Sequence, residues 1–290
     1  MLSIPILYPT DWKTYELLDS GKGEKLERFD HYTVIRPDPR ILWKKSQPKE
    51  LWDKADAAYK RTEPTSGSWH YRQPPPSPWT VPYEHLSFLL KPTSFKHVGI
   101  FPEQAVNWDW LTQTITKRPL RVLNLFAYTG GATLAAAAAG AQVTHVDAAK
   151  GAIAWARENA KLSGLDNHPI RWIEDDAYKF VLREAKRSNT YDGIILDPPR
   201  FGRGTKGEVW KIEVDLPKLL TACRTILSKT PQFFLINAYT ADLSALVVHQ
   251  LLLEIMHDFK GTHSFGELAL KESGSERLLP NGIFARWNST

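Results

Sequence analysis

Beyond residue 120, short apolar runs alternate with stretches of helical spacing, and this alternation constrains the fold more tightly than any other feature of the chain. It is the pattern of a parallel sheet with helices on its faces, because each strand must be returned by a crossover before the next can lie beside it. The spacing predicts strands over residues 121–126, 142–147, 170–174, 191–197 and 232–237. Between the first two, residues 131–140 are rich in alanine and predict a slim helix that packs close to the sheet. Residues 149–162 place Ile153, Ala156 and Ala160 at helical spacing, and a further helix over 216–227 carries Cys223. Residues 263–271 and 282–287 predict two strands around a turn containing Gly274 and Pro280-Asn281-Gly282. Such an ending suits an antiparallel hairpin at a sheet edge.

The first 95 residues have a different texture. Prolines are frequent, strand-like pieces such as residues 31–35 occur, and seven of the eleven tryptophans fall at or before Trp110. This predicts a small β-rich N-terminal domain or extension over residues 1–95 and an α/β domain over residues 96–290. The run EPTSGSWHYRQPPPSPWTVP, residues 63–82, carries too many prolines for a helix or a central strand and is expected to be a loop or connector. In a domain of this kind tryptophans serve either as core or as stacking platforms for single-stranded bases.

With 290 residues, 42% of them hydrophobic, the chain can bury a sizeable core. One cysteine cannot form an internal disulfide, and the opening MLSIPILYPT lacks the basic flank and long apolar core of a signal peptide. No apolar run reaches the roughly 18 residues of a membrane span, so a cytoplasmic protein without a membrane partner is expected. His31, His70, His85, His97 and His145 are scattered, and no metal is expected. The net charge of +5 suits a polyanionic partner, and equally a soluble enzyme with a slightly basic surface.

Ligands of open α/β sheets lie outside the carboxyl ends of the strands, so the residues that end each predicted strand belong together. The first strand runs into Phe126-Ala127-Tyr128-Thr129-Gly130-Gly131, where glycine lets backbone approach a ligand and the next helix offers free N–H groups. The second ends in Asp147, an acid able to accept both ribose hydroxyls of a nucleoside. The third ends in Glu174-Asp175-Asp176-Ala177, where an acid can accept from an adenine amino group while Ala177 or Tyr178 packs on the ring. The fourth ends in Asp197-Pro198-Pro199-Arg200-Phe201, with two prolines stiffening the turn. A glycine turn or a strand-end acid is also ordinary loop chemistry. The G-x-G-x-x-G of dinucleotide dehydrogenases is absent.

The stretch LNLFAYTGGATLAAAAAGAQVTHVDAAKGAIAWARENAKLSGL, followed by EDDAYKF and ILDPPRFGRG, resembles the class I S-adenosylmethionine (AdoMet)-dependent methyltransferases. Within them it is most similar to the bacterial 23S ribosomal RNA methyltransferases with a DPP-x-F signature, over about residues 96–239. The resemblance implies an α/β fold with a Rossmann-like seven-stranded methyltransferase sheet and a terminal antiparallel hairpin. It implies that Tyr128, Thr129 and Gly130 flank the methionine part of AdoMet, that Asp147 holds the ribose and Asp176 the adenine amino group. Phe126, Ala148, Asp175 and Ala177 would line the same pocket. Asp197, Pro198 and Pro199 would face the methyl group and the target base. A Lys-x-Gly-x-x-x-x-Gln segment of that family also lines the cofactor pocket; Lys96, Phe101 and Gln104 stand in the imperfectly matching stretch here.

Some members of the group make 5-methylcytosine, which needs a cysteine thiolate after the fifth strand to attack the ring. Here that place reads Phe234-Leu235-Ile236-Asn237-Ala238-Tyr239-Thr240, and Cys223 is expected to be a small buried hydrophobe. The expected reaction is therefore methyl transfer to a base nitrogen of ribosomal RNA, and not to cytosine C5. Position and desolvation suffice for it. Asp197 would orient the acceptor nitrogen or take its proton, and Phe201 would either stack on the base or line the wall. Asn237 and Tyr239 are candidates for contacts to the acceptor, with a strand-end cap the other reading of Asn237. Arg200, Arg203 and Lys206 would hold RNA phosphates on a mobile basic loop. Lys179, Arg183, Lys186 and Arg187 either extend that surface or are simply solvated. A protein or small-molecule acceptor and a non-catalytic AdoMet- or RNA-binding module are the alternatives. Oligomeric state is left open.

Overall fold

The computed structural model describes residues 4–62, 66–116, 119–203, 209–239 and 243–290. The chain forms two compact units that exchange segments: one comprises Met1–Leu7, Gln104–Leu268 and Asn281–Thr290, the other Tyr8–Glu103 and Ala269–Pro280. The expectation had placed a single boundary near residue 95.

The first unit is built on a sheet of eight described strands: β1 (Ile6–Leu7), β2 (Arg121–Leu125), β3 (Gln142–Asp147), β4 (Ile170–Glu174), β5 (Gly193–Leu196), β6 (Phe233–Ala238), β7 (Gly261–Lys271) and β8 (Leu278–Ser289). Their order is β1-β7-β8-β6-β5-β2-β3-β4. Every pairing from β6 to β4 is parallel, and β8 lies antiparallel to β6. The sheet is the expected Rossmann-like sheet with its antiparallel ending. The difference is an eighth strand, β1, which pairs parallel with β7 through Ile6 and Leu7.

Six helices accompany the sheet: α1 (Ala105–Thr114), α2 (Gly131–Ala138), α3 (Lys150–Leu162), α4 (Ala177–Lys186), α5 (Ile212–Thr225) and α6 (Ala245–Met256). One apolar cluster joins Leu125, Phe180, Ile194, Leu216, Phe234 and Trp287. Another joins Leu111, Val122, Ala136, Val143, Phe233 and Leu235. The two clusters draw on alternate residues of β2, β5 and β6, so those strands are covered on both faces, which is why they read as continuous apolar runs. The chain leaves β2 for β3 on one side and later returns to β5 on the other, so the order reverses there. The carboxyl ends of β2 and β5 thus lie side by side at the switch point.

Two local expectations are corrected. Pro280-Asn281-Gly282 lies inside β8 rather than in a turn; Pro280 is exposed while Leu279 and Asn281 are buried, so the triplet keeps the alternation of a strand. The helix expected over 216–227 begins at Ile212 and includes Pro217.

The second unit holds a five-stranded sheet, Tyr15–Gly21, Glu24–Phe29, Tyr32–Pro37, Ala57–Arg61 and Gly67–Tyr71, in chain order. Its third and fourth strands are parallel, with the short helix Lys49–Asp53 in the connection between them. Thr80–Tyr83 and Leu86–Leu89 form a separate hairpin. The run 63–82 is thus more than a connector: an edge strand and half of a hairpin fall inside it, positions where proline-rich flanks are tolerated. Trp12, Trp52 and Trp79 are buried and act as core, not as stacking platforms. Beneath the sheet, fully buried Glu27 takes two hydrogen bonds from Arg36, one from the Tyr15 hydroxyl, and pairs with Lys25. These partners hold its carboxyl down at about 2 in spite of burial. Among the described residues, no helix is long and apolar enough to cross a membrane.

Candidate functional site

The site is built where β2, β3, β4 and β5 stop. After Leu125 the chain turns through Phe126 (φ 56°), Tyr128 (φ 47°) and Gly130 (φ 89°), three left-handed residues in five. Such backbone is unfavourable by about 1–2 kcal/mol per non-glycine residue, so its neighbours must hold it. They do. Ala127 N–H donates to the Val146 carbonyl (3.1 Å), and Asn159 from α3 donates to the Thr129 carbonyl (2.9 Å). Tyr128 N–H donates to Asp147 Oδ2 (2.8 Å). Gly131 starts α2 against the Trp108 indole, where an added Cβ would stand 2.6 Å from the ring.

Asp147 ends β3. Its other oxygen, Oδ1, accepts from Ala149 N–H (2.8 Å). Two carboxylate oxygens offer about four acceptor sites, so the group still has lone-pair capacity for a hydroxyl beyond its backbone donors. Burial raises its pKa above the usual carboxylate value, opposed by the backbone N–H groups of Ala149, Tyr128 and Ala148. Ala148 beside it is half-buried.

At the end of β4 the acids divide their tasks. Asp176 caps α4 by accepting from Lys179 N–H (2.8 Å), which satisfies one of the unpaired donors of the first turn. Asp175 accepts from Asp176 N–H (2.9 Å) and pairs with Arg183. Asp175 N–H in turn donates to the Asp147 carbonyl (3.0 Å), which ties the two strand ends together. Ala177 is buried in the apolar core, while Tyr178 is 37% exposed.

After β5, Asp197 N–H donates to the Leu125 carbonyl (3.4 Å), setting this acid beside the turn that follows β2. Pro198 is buried, Pro199 exposed, and Phe201 is 53% exposed. The glycine-rich segment expected to be a mobile loop opens and closes instead as a small antiparallel pair, Phe201–Arg203 with Val209–Lys211. Trp210 anchors it by donating from Nε1 to the Pro199 carbonyl (2.7 Å), its ring 5.0 Å from that of Phe126. Arg200 is exposed, with Glu213 3.9 Å away. Lys206 and the Arg203 side chain lie outside the described residues. Of the helical cations, Arg183 pairs with Asp175 and Arg187 with Glu184 (3.0 Å), while Lys179 and Lys186 are exposed.

Asn237 is neither an exposed contact nor a cap. It is buried, and its Oδ1 accepts from Asn107 (2.8 Å). Gln104, expected beside the cofactor, lies in the same polar group and donates to the Tyr239 hydroxyl. Lys96 and Phe101 belong to the other unit, where Lys96 Nζ donates to the Pro37 carbonyl (2.9 Å) and Phe101 packs on His97. Burial, with Lys25, Arg36 and Arg40 as like-charged neighbours, lowers the Lys96 pKa to about 8.

Sequence reasoning missed the layer beneath the turn. Asn124 donates to Thr133 Oγ1 (2.9 Å), which is 2.9 Å from His145 Nδ1, and burial pushes His145 down to about 3, keeping it neutral. Asn124 and His145 sit directly opposite on neighbouring strands, a register invisible before pairing is known. No group of three or more His, Cys, Asp or Glu residues that could hold a metal occurs among the described residues. Taken together, a bent backbone cradle, one desolvated carboxylate with spare lone pairs and a second acid one strand over suit a nucleoside ligand.

Residues 39–236 match the family model of S-adenosylmethionine-dependent methyltransferases. The crystal structure of a SAM-dependent methyltransferase from Agrobacterium tumefaciens superposes with a TM-score of 0.94 at 44% identity, covering 99% of this chain and 94% of that one. Among curated proteins, a ribosomal RNA large subunit methyltransferase K/L of Shewanella baltica is 33% identical over 152 residues, 52% of this chain. A ribosomal RNA large subunit methyltransferase I of Aeromonas salmonicida is 28% identical over 178 residues, 60% of this chain. The chain spans 21% of the length of the former and 41% of the latter.

Proposed function

Because the chain belongs to the S-adenosylmethionine-dependent methyltransferase family, we propose that it transfers the methyl group of AdoMet to a base nitrogen of ribosomal RNA. AdoMet supplies a methyl carried on a positively charged sulfur, electrophilic enough to need no covalent enzyme intermediate. The protein's part is then to hold, orient and desolvate. The observation that carries the reading is the pairing of Asp197-Pro198-Pro199 with a cysteine-free end of β6. The only cysteine, Cys223, is buried in α5, its thiol pKa pushed up by burial, so the route through a thiolate is closed to it.

In this proposal Asp147 receives the ribose hydroxyls on its remaining lone pairs, and Tyr128, Thr129 and Gly130 cradle the methionine part. Asp176 receives the adenine amino group on the oxygen not used for capping, with Asp175, Ala148, Ala177 and Phe126 as walls. Asp197 orients the acceptor N–H and takes its proton as the methyl is transferred. Phe201 stacks on the target base, and Tyr239 bonds its edge. The names of the curated relatives support RNA as the acceptor, as does the net charge of +5.

The deciding experiment compares modified nucleosides in ribosomal RNA from a strain lacking the gene and from its parent. Loss of one N-methylated nucleoside, restored by the purified protein and AdoMet, is the expected result. An unchanged profile would sink the RNA assignment and point to a protein or small-molecule acceptor.

A further inference from the structure

The turn that follows β5 can be anchored only from outside. Pro198 and Pro199 carry no N–H, so between Asp197 and Arg200 the backbone offers carbonyls alone. The last donor before the prolines, Asp197 N–H, is spent on the Leu125 carbonyl (3.4 Å), and beyond it the chain must be held by donors brought from elsewhere. Residues 210–212 bring them. Trp210 donates from Nε1 to the Pro199 carbonyl (2.7 Å), Ile212 N–H donates to the Arg200 carbonyl (3.0 Å), and Lys211 stands opposite Phe201 in the antiparallel pair.

Trp210 differs from its neighbours in reaching both sides of the site. An indole has one polar group, a donor, and a large apolar body. The donor is on the Pro199 carbonyl, at the side proposed for the acceptor. The body is half-buried, its ring 5.0 Å from that of Phe126 and inclined at 56°, and both rings pack on the same apolar cluster. Phe126 is the first left-handed residue of the turn after β2, a proposed wall of the AdoMet pocket. Methyl transfer needs the reacting atoms about 3–3.5 Å apart, and an error of about 1 Å costs about 100-fold in rate. We infer that Trp210 is a positioning residue: held between Phe126 and the Pro199 carbonyl, it sets the distance between the AdoMet turn and the acceptor platform of Pro199 to Phe201. The inference rests on the proposed roles of Phe126 and Phe201.

Trp210→Phe tests it, because a ring remains for Phe126 while the donor to Pro199 is lost. With total ribosomal RNA from the deletion strain as acceptor and both substrates saturating, the single-turnover rate is expected to fall about 10- to 100-fold, between the worth of one hydrogen bond and that of a misplaced acceptor. The calorimetric Kd for AdoMet and the KM for RNA should change by less than about twofold, since the loss falls on the transition state. An unchanged rate would overturn the inference, as would a rate loss matched by equal losses of AdoMet affinity and Tm, the mark of a ring that only supports the fold. A second measurement needs no acceptor. In protein labelled with fluorotryptophan, the Trp210 resonance, identified by its loss in Trp210→Phe, is expected to shift when AdoMet binds and to shift much less in Phe126→Leu saturated with AdoMet. A resonance indifferent to AdoMet would break the link to the cofactor side. RNA left unmethylated by the wild-type protein would overturn the RNA reading instead, while the fluorine signal would still decide whether Trp210 senses the AdoMet turn.

Discussion

Asp147 is the residue on which AdoMet affinity should depend most. Both of its oxygens already accept backbone N–H groups, so the carboxylate is held rigidly while lone-pair capacity remains for a ribose hydroxyl. Asp147→Asn keeps the shape but replaces one accepting oxygen with a donor. A lost charge-assisted hydrogen bond is worth about 1.5–3 kcal/mol, so calorimetry should show the Kd for AdoMet rising about 10- to 100-fold. Acid should act in the same direction. Because burial raises the Asp147 pKa, protonation sets in above the usual range, and affinity should fall as the pH drops through that raised value. An Asp147→Asn protein should lack this component. A wild-type affinity flat down to pH 4 would contradict a ribose-binding carboxylate here.

Among the elements, the turn from β2 into α2 gathers three left-handed residues in five and depends on its neighbours to hold them. Gly131→Ala would drive a Cβ to 2.6 Å from Trp108, a buried ring on α1 that has little room to retreat. Overpacking of that kind costs about 1–3 kcal/mol, and the turn it displaces is the cradle itself. Calorimetry is expected to show a lower Tm together with weaker AdoMet binding; a Tm loss with unchanged binding would separate the two. This turn was legible in the chain because glycine and a strand-end acid are local signals. The bounds of β3 and β4 agree with expectation for the same reason: each apolar run stops at an acid. The pair Phe201–Arg203 with Val209–Lys211 was not legible, since its glycines speak for a loop and only Trp210 on Pro199 shows the anchor. Nor were the hydrogen bonds of buried Arg286, whose partners Asn107 and Val106 stand 179 and 180 positions away. Pro280-Asn281-Gly282 misled because turn chemistry was read where burial alternation prevails.

Across the whole molecule, each unit holds a histidine whose pKa is pushed down to about 3, so that the fold keeps it neutral. In the first it is His145, pushed down to about 3 by burial with Arg157 adding to it. In the second it is His97, also near 3, through burial and the neighbouring Arg36, Lys96 and Lys25. The unfolded chain protonates both near the ordinary value of about 6.5, whereas the folded units refuse the proton until about 3. Stability is therefore fully present above pH 6.5 and drains away as the pH falls, by about 1.4 kcal/mol per unit for each histidine. Glu27 contributes little in this window: its carboxyl is held at about 2, so its share of stability is lost only as the pH falls through the ordinary carboxylate value of 4.5 toward 2. Between pH 6.5 and pH 5 the two histidines together should remove about 3 kcal/mol, a large share of the roughly 5–15 kcal/mol that holds a protein folded. Denaturant unfolding of His145→Gln and His97→Gln proteins at both pH values should show each variant losing about 1.5 kcal/mol less than the wild type over that interval. Because the histidines belong to different units, the two savings should add in the double variant. Wild-type stability unchanged from pH 6.5 to 5 would mean that the folded units accept these protons after all.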